Sequence, residues 1–154
     1  KYVEGLKLYI IGDVKTGSFN NMDVLVSQLQ QDKDVVLLGR VADTELVKFY
    51  SNAMAFVFPS FYEGFGIPVL EAQACGCPVI SSDSSALLEV LGDSAILCNS
   101  NKENDFAKAI IKIAQDKIMS EYLVRRGYEN VKRFSWGRSA EYIRDIIKSY
   151  DDEY

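Results

Sequence analysis

"AFVFPSFYEGFGIPVLEAQACGCPVIS", residues 55–81, carries the fold signals in a fixed order. Ala55–Phe58 is a short apolar run stopped by Pro59 and reads as a strand. Pro68 suits the first turn of a helix, where its missing N–H has no partner in any case. Gly76 suits the position just past a helix end. A helix of about two turns is predicted between them, followed by a strand over Pro78–Ser81. Strands that are apolar on both faces and alternate with helices imply a parallel sheet covered on both sides.

The same alternation extends outward. Leu6–Gly12 and Asp34–Gly39 read as earlier strands and Ala95–Cys98 as a fifth. Asn20 or Asn21 can cap a helix presenting Met22, Leu25, Val26 and Leu29. Asp43 can cap another presenting Leu46, Val47, Tyr50 and Ala53. Three helical stripes follow: Phe106, Ile110, Ile113 and Ala114; then Leu123, Val124, Tyr128 and Val131; then Ala140, Ile143, Ile146, Ile147 and Tyr150. Crossovers between parallel strands are right-handed, and ligands bind outside the carboxyl ends of such strands. The loops Gly12–Phe19, Gly39–Asp43 and Pro59–Ile67 leave at that edge.

A chain of 154 residues is long enough for one domain with a hydrophobic core. It begins at Lys1, without a signal-peptide pattern, and reads as a piece of something longer. No run approaches the ~18 apolar residues of a membrane span. The formal net charge of −5 argues against broad nucleic-acid or anionic-membrane surfaces. There is no Lys or Arg between Lys48 and Lys102, so an anion bound there must be held by backbone N–H groups or by basic groups from elsewhere. Cys75, Cys77 and Cys98, with no histidine in the chain, fit reduced buried thiols of a cytosolic protein better than a disulfide framework or a zinc site.

The loop Pro59–Ile67 leads into a helix start, which presents free N–H groups and a partial positive charge. That is an anion site needing no basic side chain. Gly64 and Gly66 permit positive φ and close approach of a ligand, or merely serve a tight turn. Glu63 and Glu71 flank the amide cluster. Two unit charges ~4 Å apart at an effective dielectric of ~20 interact by about 4 kcal/mol, so these carboxylates suit hydroxyls better than phosphate oxygens. A nucleotide sugar supplies both partners: its diphosphate for the amides, its sugar and ribose hydroxyls for the carboxylates. The plainer alternative is that Glu71 complements the helix dipole and Glu63 is solvated.

Glu63-Gly-Phe-Gly-Ile-Pro-Val-Leu-Glu71 resembles the E-x7-E signature of retaining GT-B glycosyltransferases, the "glycosyl transferases group 1" class. The likeness extends through Leu37–Ser60, Cys75–Leu97 and Arg133–Trp136, nearly the whole chain. The resemblance implies a Rossmann-like, doubly wound α/β domain with a helical C-terminus. Residues 1–154 would be the C-terminal, donor-binding domain of a two-domain transferase that moves a sugar to an acceptor hydroxyl in bacterial polysaccharide or glycolipid synthesis. Glu63 would be the catalytic carboxylate, binding donor-sugar hydroxyls and acting electrostatically. The amides of Gly64, Phe65, Gly66 and Ile67 would line the sugar and diphosphate. Pro68, Val69 and Leu70 would lie at the phosphate-facing helix start, with N–H groups from Val69 and Leu70. Glu71 would take the ribose hydroxyls, and Arg40 and Val41 would border the base. No metal or cofactor is expected. The partners would be a nucleotide-sugar donor and, through another domain, an acceptor glycan, glycolipid or protein. The location would be cytoplasmic, with any peripheral contact at the inner membrane face made through the rest of the protein.

The family's domain normally opens with one more strand and helix, which carry an Arg/Lys pair that clamps the diphosphate. That unit has no counterpart here, nor has the acceptor domain. The expectation is a partial domain, inactive alone, whose sheet has a gap or a rearranged neighbour. Phe65 would either cover the sugar or turn inward, and Tyr62 likewise. Asp83, Glu89 and Asp93 are expected to cap helices or turns, and Trp136 to pack as core. The amphipathic helix Arg138–Tyr150 is expected to leave apolar surface bare. A receiver-like signalling domain would need an aspartate where Phe58-Pro59-Ser60 stands. A glycosidase pair would need carboxyls ~5–5.5 Å apart, and a helix start between Glu63 and Glu71 suits phosphate better.

Overall fold

A computed structural model of the chain describes residues 3–12 and 22–151. Its elements are β1 (Leu8–Ile11), α1 (Met22–Gln30), β2 (Val35–Gly39), α2 (Asp43–Asn52), β3 (Phe56–Phe58), α3 (Ile67–Ala74), β4 (Val79–Ser82), α4 (Ala86–Leu91), β5 (Ile96–Cys98), α5 (Glu103–Gln115), α6 (Lys117–Val131) and α7 (Trp136–Asp151). The five strands match the five expected from sequence within a residue or two at each end. The proposed caps Asn20 and Asn21, and the loop Gly12–Phe19 beyond its first residue, lie outside the described residues.

All strand pairs are parallel, but they form two sheets: β1-β2, and β3-β4-β5. Of the two arrangements anticipated, a gap and a rearranged neighbour, the structure has the gap. No ladder joins β1 to β3. Leu8 and Tyr9 of β1 remain about half exposed, and Tyr9 packs its ring against Phe49 of α2 at 5.5 Å.

The three-stranded sheet is sandwiched. Successive side chains on a strand point to opposite faces. On β4, Val79 joins Tyr50, Val69, Ala72, Leu87, Val90 and Leu91 on one face, under α2, α3 and α4. Its neighbour Ile80 joins Phe106, Ala109, Ile113 and Leu123 on the other, under α5 and α6. On β3, Phe56 and Phe58 serve the first face and Val57 the second. The central strand β4 is wholly buried, which fixes the height of the loops at its carboxyl end. The three cysteines are free, and burial pushes the Cys77 thiol up to about 12 and that of Cys98 upward.

Several local expectations are corrected. Ala42, extended at φ −71°, ψ 152°, is the N-cap of α2, and Asp43 is already helical. Ala42 has no side-chain acceptor; instead its N–H donates to Glu45 Oε2 at 3.4 Å. Val47 is half exposed and Ala53 lies past the helix. Helix α4 was not anticipated, because six residues are too few to show a period. Asp93 binds Arg126 through both carboxylate oxygens rather than capping a helix, and that guanidinium holds its carboxyl below the usual range. Trp136 is 83% exposed, as the first residue of a helix whose every residue from 136 to 150 is exposed. Tyr142, Ile143, Ile146, Ile147 and Tyr150 of α7 thus form an apolar stripe that no described residue covers.

On α6 the buried positions are Leu123, Gly127 and Asn130, while Tyr128 is half exposed and lies against Gly76 at the end of α3. The reason is the close approach of α6 to α3. A Cβ at Gly127 would stand 3.1 Å from Gln73 Cγ. Behind this contact lies a buried polar network. Gln73 Nε2 reaches the Ser94 carbonyl at 3.1 Å and Oγ at 2.7 Å. Asn130 Nδ2 donates to Gln73 Oε1 at 2.8 Å and the Val90 carbonyl at 3.0 Å. Arg133 Nη1 donates to Asn130 Oδ1 at 2.8 Å. Removing a donor strands buried acceptors, each costing ~1–3 kcal/mol. Asn130→Ala is therefore expected to lower stability by about 2–4 kcal/mol, and the thermal midpoint by roughly 5–15 °C. Thermal unfolding followed by circular dichroism checks this.

Candidate functional site

The site is built at the carboxyl ends of β3 and β4. Strand β3 ends at Phe58, and α3 begins at Ile67 with Gly66 as its N-cap. Gly66 is left-handed, at φ 90° and ψ 51°. A Cβ there would also meet Leu87 Cδ2 at 2.6 Å. Both conformation and space therefore demand glycine. Gly64 differs: its φ is not positive, and an added Cβ would meet nothing within 4 Å. The two glycines look alike in sequence, and only Gly66 is required by the fold.

The amides of Gly64, Phe65, Gly66 and Ile67 donate no hydrogen bond to any described residue. Among the described residues, four successive N–H groups therefore have no acceptor at the positive end of α3, that of Gly66 within a buried residue. Pro68, second in the helix, has no N–H to add. Val69 is fully buried, and its N–H is taken by the Gly66 carbonyl at 3.2 Å, so it is not free in the way expected. Leu70 packs its side chain on the core.

The two carboxylates are held differently. Glu63 is half-buried, and the Ser60 hydroxyl lies 2.9 Å from its Oε1 and 3.1 Å from the Tyr62 carbonyl. Its peptide is gripped as well. Glu63 N–H donates to Ser85 Oγ at 2.9 Å, and that hydroxyl lies 3.0 Å from the Glu63 carbonyl. Ser85 is the one non-glycine residue at positive φ among the described residues, at 47° with ψ −134°. Such a conformation costs a side-chain-bearing residue about 1–3 kcal/mol. Ser82 and Ser84 donate to the Ser60 carbonyl, Ser84 at 2.8 Å.

Glu71 is the fifth residue of α3, just past its first turn. It is exposed and makes no ion pair or side-chain hydrogen bond among the described residues. Its charge is felt by Tyr50 of α2, whose hydroxyl is pushed up to about 12 by burial and then by Glu71 and two thiols. Helices α2 and α3 therefore lie side by side. The turn before α2 carries exposed Arg40 and half-buried Val41 at the carboxyl end of β2. Phe65 is 43% exposed and stands edge-on to Phe134 at 5.4 Å, and it is the Phe134 ring that the Arg133 guanidinium covers, at 5.1 Å from its centroid. Phe61 and Tyr62 are more exposed, at 69% and 80%. Among the described residues no group of three or more Cys, Asp or Glu side chains is arranged to hold a metal. No described helix is long and apolar enough to cross a membrane.

Sequence reasoning missed Ser60 and Ser85. The one available signal was the hydroxyl-rich run Ser81-Ser82-Asp83-Ser84-Ser85 directly after a strand.

In open parallel α/β domains ligands bind beyond the carboxyl ends of the strands, and a helix start there can hold an anion. The chain belongs to the glycosyl transferases group 1 family, whose profile matches residues 1–130. It is 42% identical over 99 residues to the O-antigen chain mannosyltransferase B of Escherichia coli, covering 64% of this chain and 26% of that protein. It is 38% identical over 117 residues to the O-antigen chain mannosyltransferase RfbU of Salmonella typhimurium, covering 73% and 33%. Among solved structures, sucrose-phosphate synthase from Thermosynechococcus elongatus superposes with a TM-score of 0.82 at 27% identity, over 96% of this chain and 39% of that one. Anabaena HepE, solved with UDP-glucose, shares the fold at a TM-score of 0.77 and 19% identity, over 93% and 41%. The chain thus spans about a quarter to a third of these curated relatives.

Proposed function

We propose that this chain is the donor-binding part of a hexosyltransferase that transfers a sugar from a nucleoside diphosphate to an acceptor hydroxyl. The observation that carries the reading is the run of four amides, Gly64 to Ile67, that have no acceptor among the described residues, flanked by an oriented carboxylate at Glu63 and by one at Glu71 with no partner among those residues. The amides and the helix start take the diphosphate, with Val69 and Leu70 in the turn behind. Glu63 accepts hydrogen bonds from the sugar hydroxyls and stabilises positive charge at the anomeric carbon. The reading is a retaining transfer, with the leaving diphosphate assisting on the same face. Glu71 takes the ribose hydroxyls, and Arg40 and Val41 border the base. The charge of the diphosphate is met by backbone dipoles, so no metal enters this scheme.

The relatives named as O-antigen mannosyltransferases make mannose the first sugar to test and a cell-surface polysaccharide the first acceptor class. We place the enzyme in the cytoplasm, and assign turnover to the full-length protein rather than to residues 1–154 alone. Calorimetric titration of the full-length protein with UDP, GDP and ADP tests the reading. One of the three is expected to bind. Glu71→Ala should weaken that nucleotide by about 10–100-fold, because hydrogen bonds to a charged group contribute ~1.5–3 kcal/mol. Failure of all three to bind removes the reading.

A further inference from the structure

Ser85 occupies the N-cap of α4, where a serine hydroxyl ordinarily accepts from an amide of the first helical turn. Here it makes no such bond. It turns instead across 22 residues of sequence to the peptide of Glu63, meeting N–H at 2.9 Å and carbonyl at 3.0 Å. Its own backbone sits at φ 47°, a conformation glycine would adopt without strain. The position gives up both an easier residue and a local cap, and what it gains is one hydroxyl on Glu63. Two residues on, Leu87 lies fully buried against the Cα of Gly66. The turn that holds Glu63 therefore also seats the start of α3.

We propose that Ser85 is a positioning residue for Glu63: it fixes the peptide, Ser60 fixes the carboxylate, and together they hold that carboxylate in register with the amides of Gly64–Ile67. The proposal rests on the reading of Glu63 as the contact to the donor sugar. It assigns Ser85 no part in holding the nucleotide, which lies with the amides and Glu71.

The test uses the full-length protein with Ser85→Gly, Ser85→Ala and Ser85→Thr. Three quantities are measured: the thermal midpoint, the affinity for the nucleoside diphosphate, and kcat with the matching nucleotide sugar. Ser85→Gly relieves the backbone and is expected to melt at or above wild type. It should bind the nucleoside diphosphate within about twofold of wild type and yet lose kcat by about tenfold or more, as misplaced reacting groups do. Ser85→Ala should lose kcat similarly. Ser85→Thr keeps the hydroxyl and should recover kcat relative to Ser85→Ala, although it melts lower. If kcat follows the thermal midpoint across the three variants, or if Ser85→Gly turns over like wild type, the positioning role is overturned while the donor reading stands. If wild type binds no nucleoside diphosphate, the donor reading falls and this proposal falls with it.

Discussion

Gly66→Ala is expected to lower the stability of the protein by about 2–5 kcal/mol and to abolish donor binding. Two costs add. A left-handed alanine is disfavoured by ~1–2 kcal/mol, and the residue holds φ at 90°. The new methyl would stand 2.6 Å from Leu87 Cδ2. Leu87 is fully buried among Val69, Ala72 and Leu91, so it has no room to swing aside. Overpacking of a dense core costs ~1–3 kcal/mol. The thermal midpoint should drop by roughly 5–15 °C. Gly64→Ala provides the contrast, since its Cβ meets nothing, and its midpoint should stay near wild type. If both variants melt alike, the close contact between α3 and α4 is wrong.

Glu63→Gln carries the largest expected effect on activity. The substitution keeps the shape of the side chain and an oxygen that can accept from Ser60, but it removes the charge. Loss of one oriented electrostatic stabiliser typically lowers kcat by ~10²–10³-fold. The affinity for the nucleoside diphosphate should hardly change, because the proposed function gives the diphosphate and ribose to the amides and Glu71 rather than to Glu63. Steady-state kinetics on the full-length protein, paired with calorimetry, separates the two. A fall in nucleotide affinity with kcat intact would reverse the assignments of Glu63 and Glu71.

The device around α3 was legible because its signals are local. Pro68 and Gly76 bracket the helix, and the lack of Lys and Arg nearby pointed to backbone donors. Those local signals placed the ends of α3 within a residue or two. What stayed hidden depends on partners far away in the chain. The contacts of Ser85 with Glu63, of Gln73 with Ser94 and of Asn130 with Gln73 span 22, 21 and 57 residues. Nothing in the spacing of a single chain announces them. Asn130 was missed because apolar periodicity ranks an asparagine outside, and only its three partners make the buried position tolerable. Trp136 was misplaced for the opposite reason: a large aromatic suggests core, but α7 meets no surface among the described residues that could cover it. Gly64 shows a finer limit. A Gly-x-Gly pair looks symmetrical in sequence, while only one of its members faces a neighbouring helix.

The four amides without an acceptor among the described residues have a consequence for the proposed donor site. A lysine or histidine that clamps a phosphate can lose its proton, and its hold then weakens with pH. Peptide N–H groups carry no such proton, and the dipole of α3 persists for as long as the helix does. The positive side of this cradle is therefore constant between mildly acid and mildly alkaline solution. In the donor-binding reading, release of a nucleoside diphosphate is therefore not driven by any change of charge on these amides, and the terminal phosphate of the ligand, with a second pKa of about 6, is the group left to titrate.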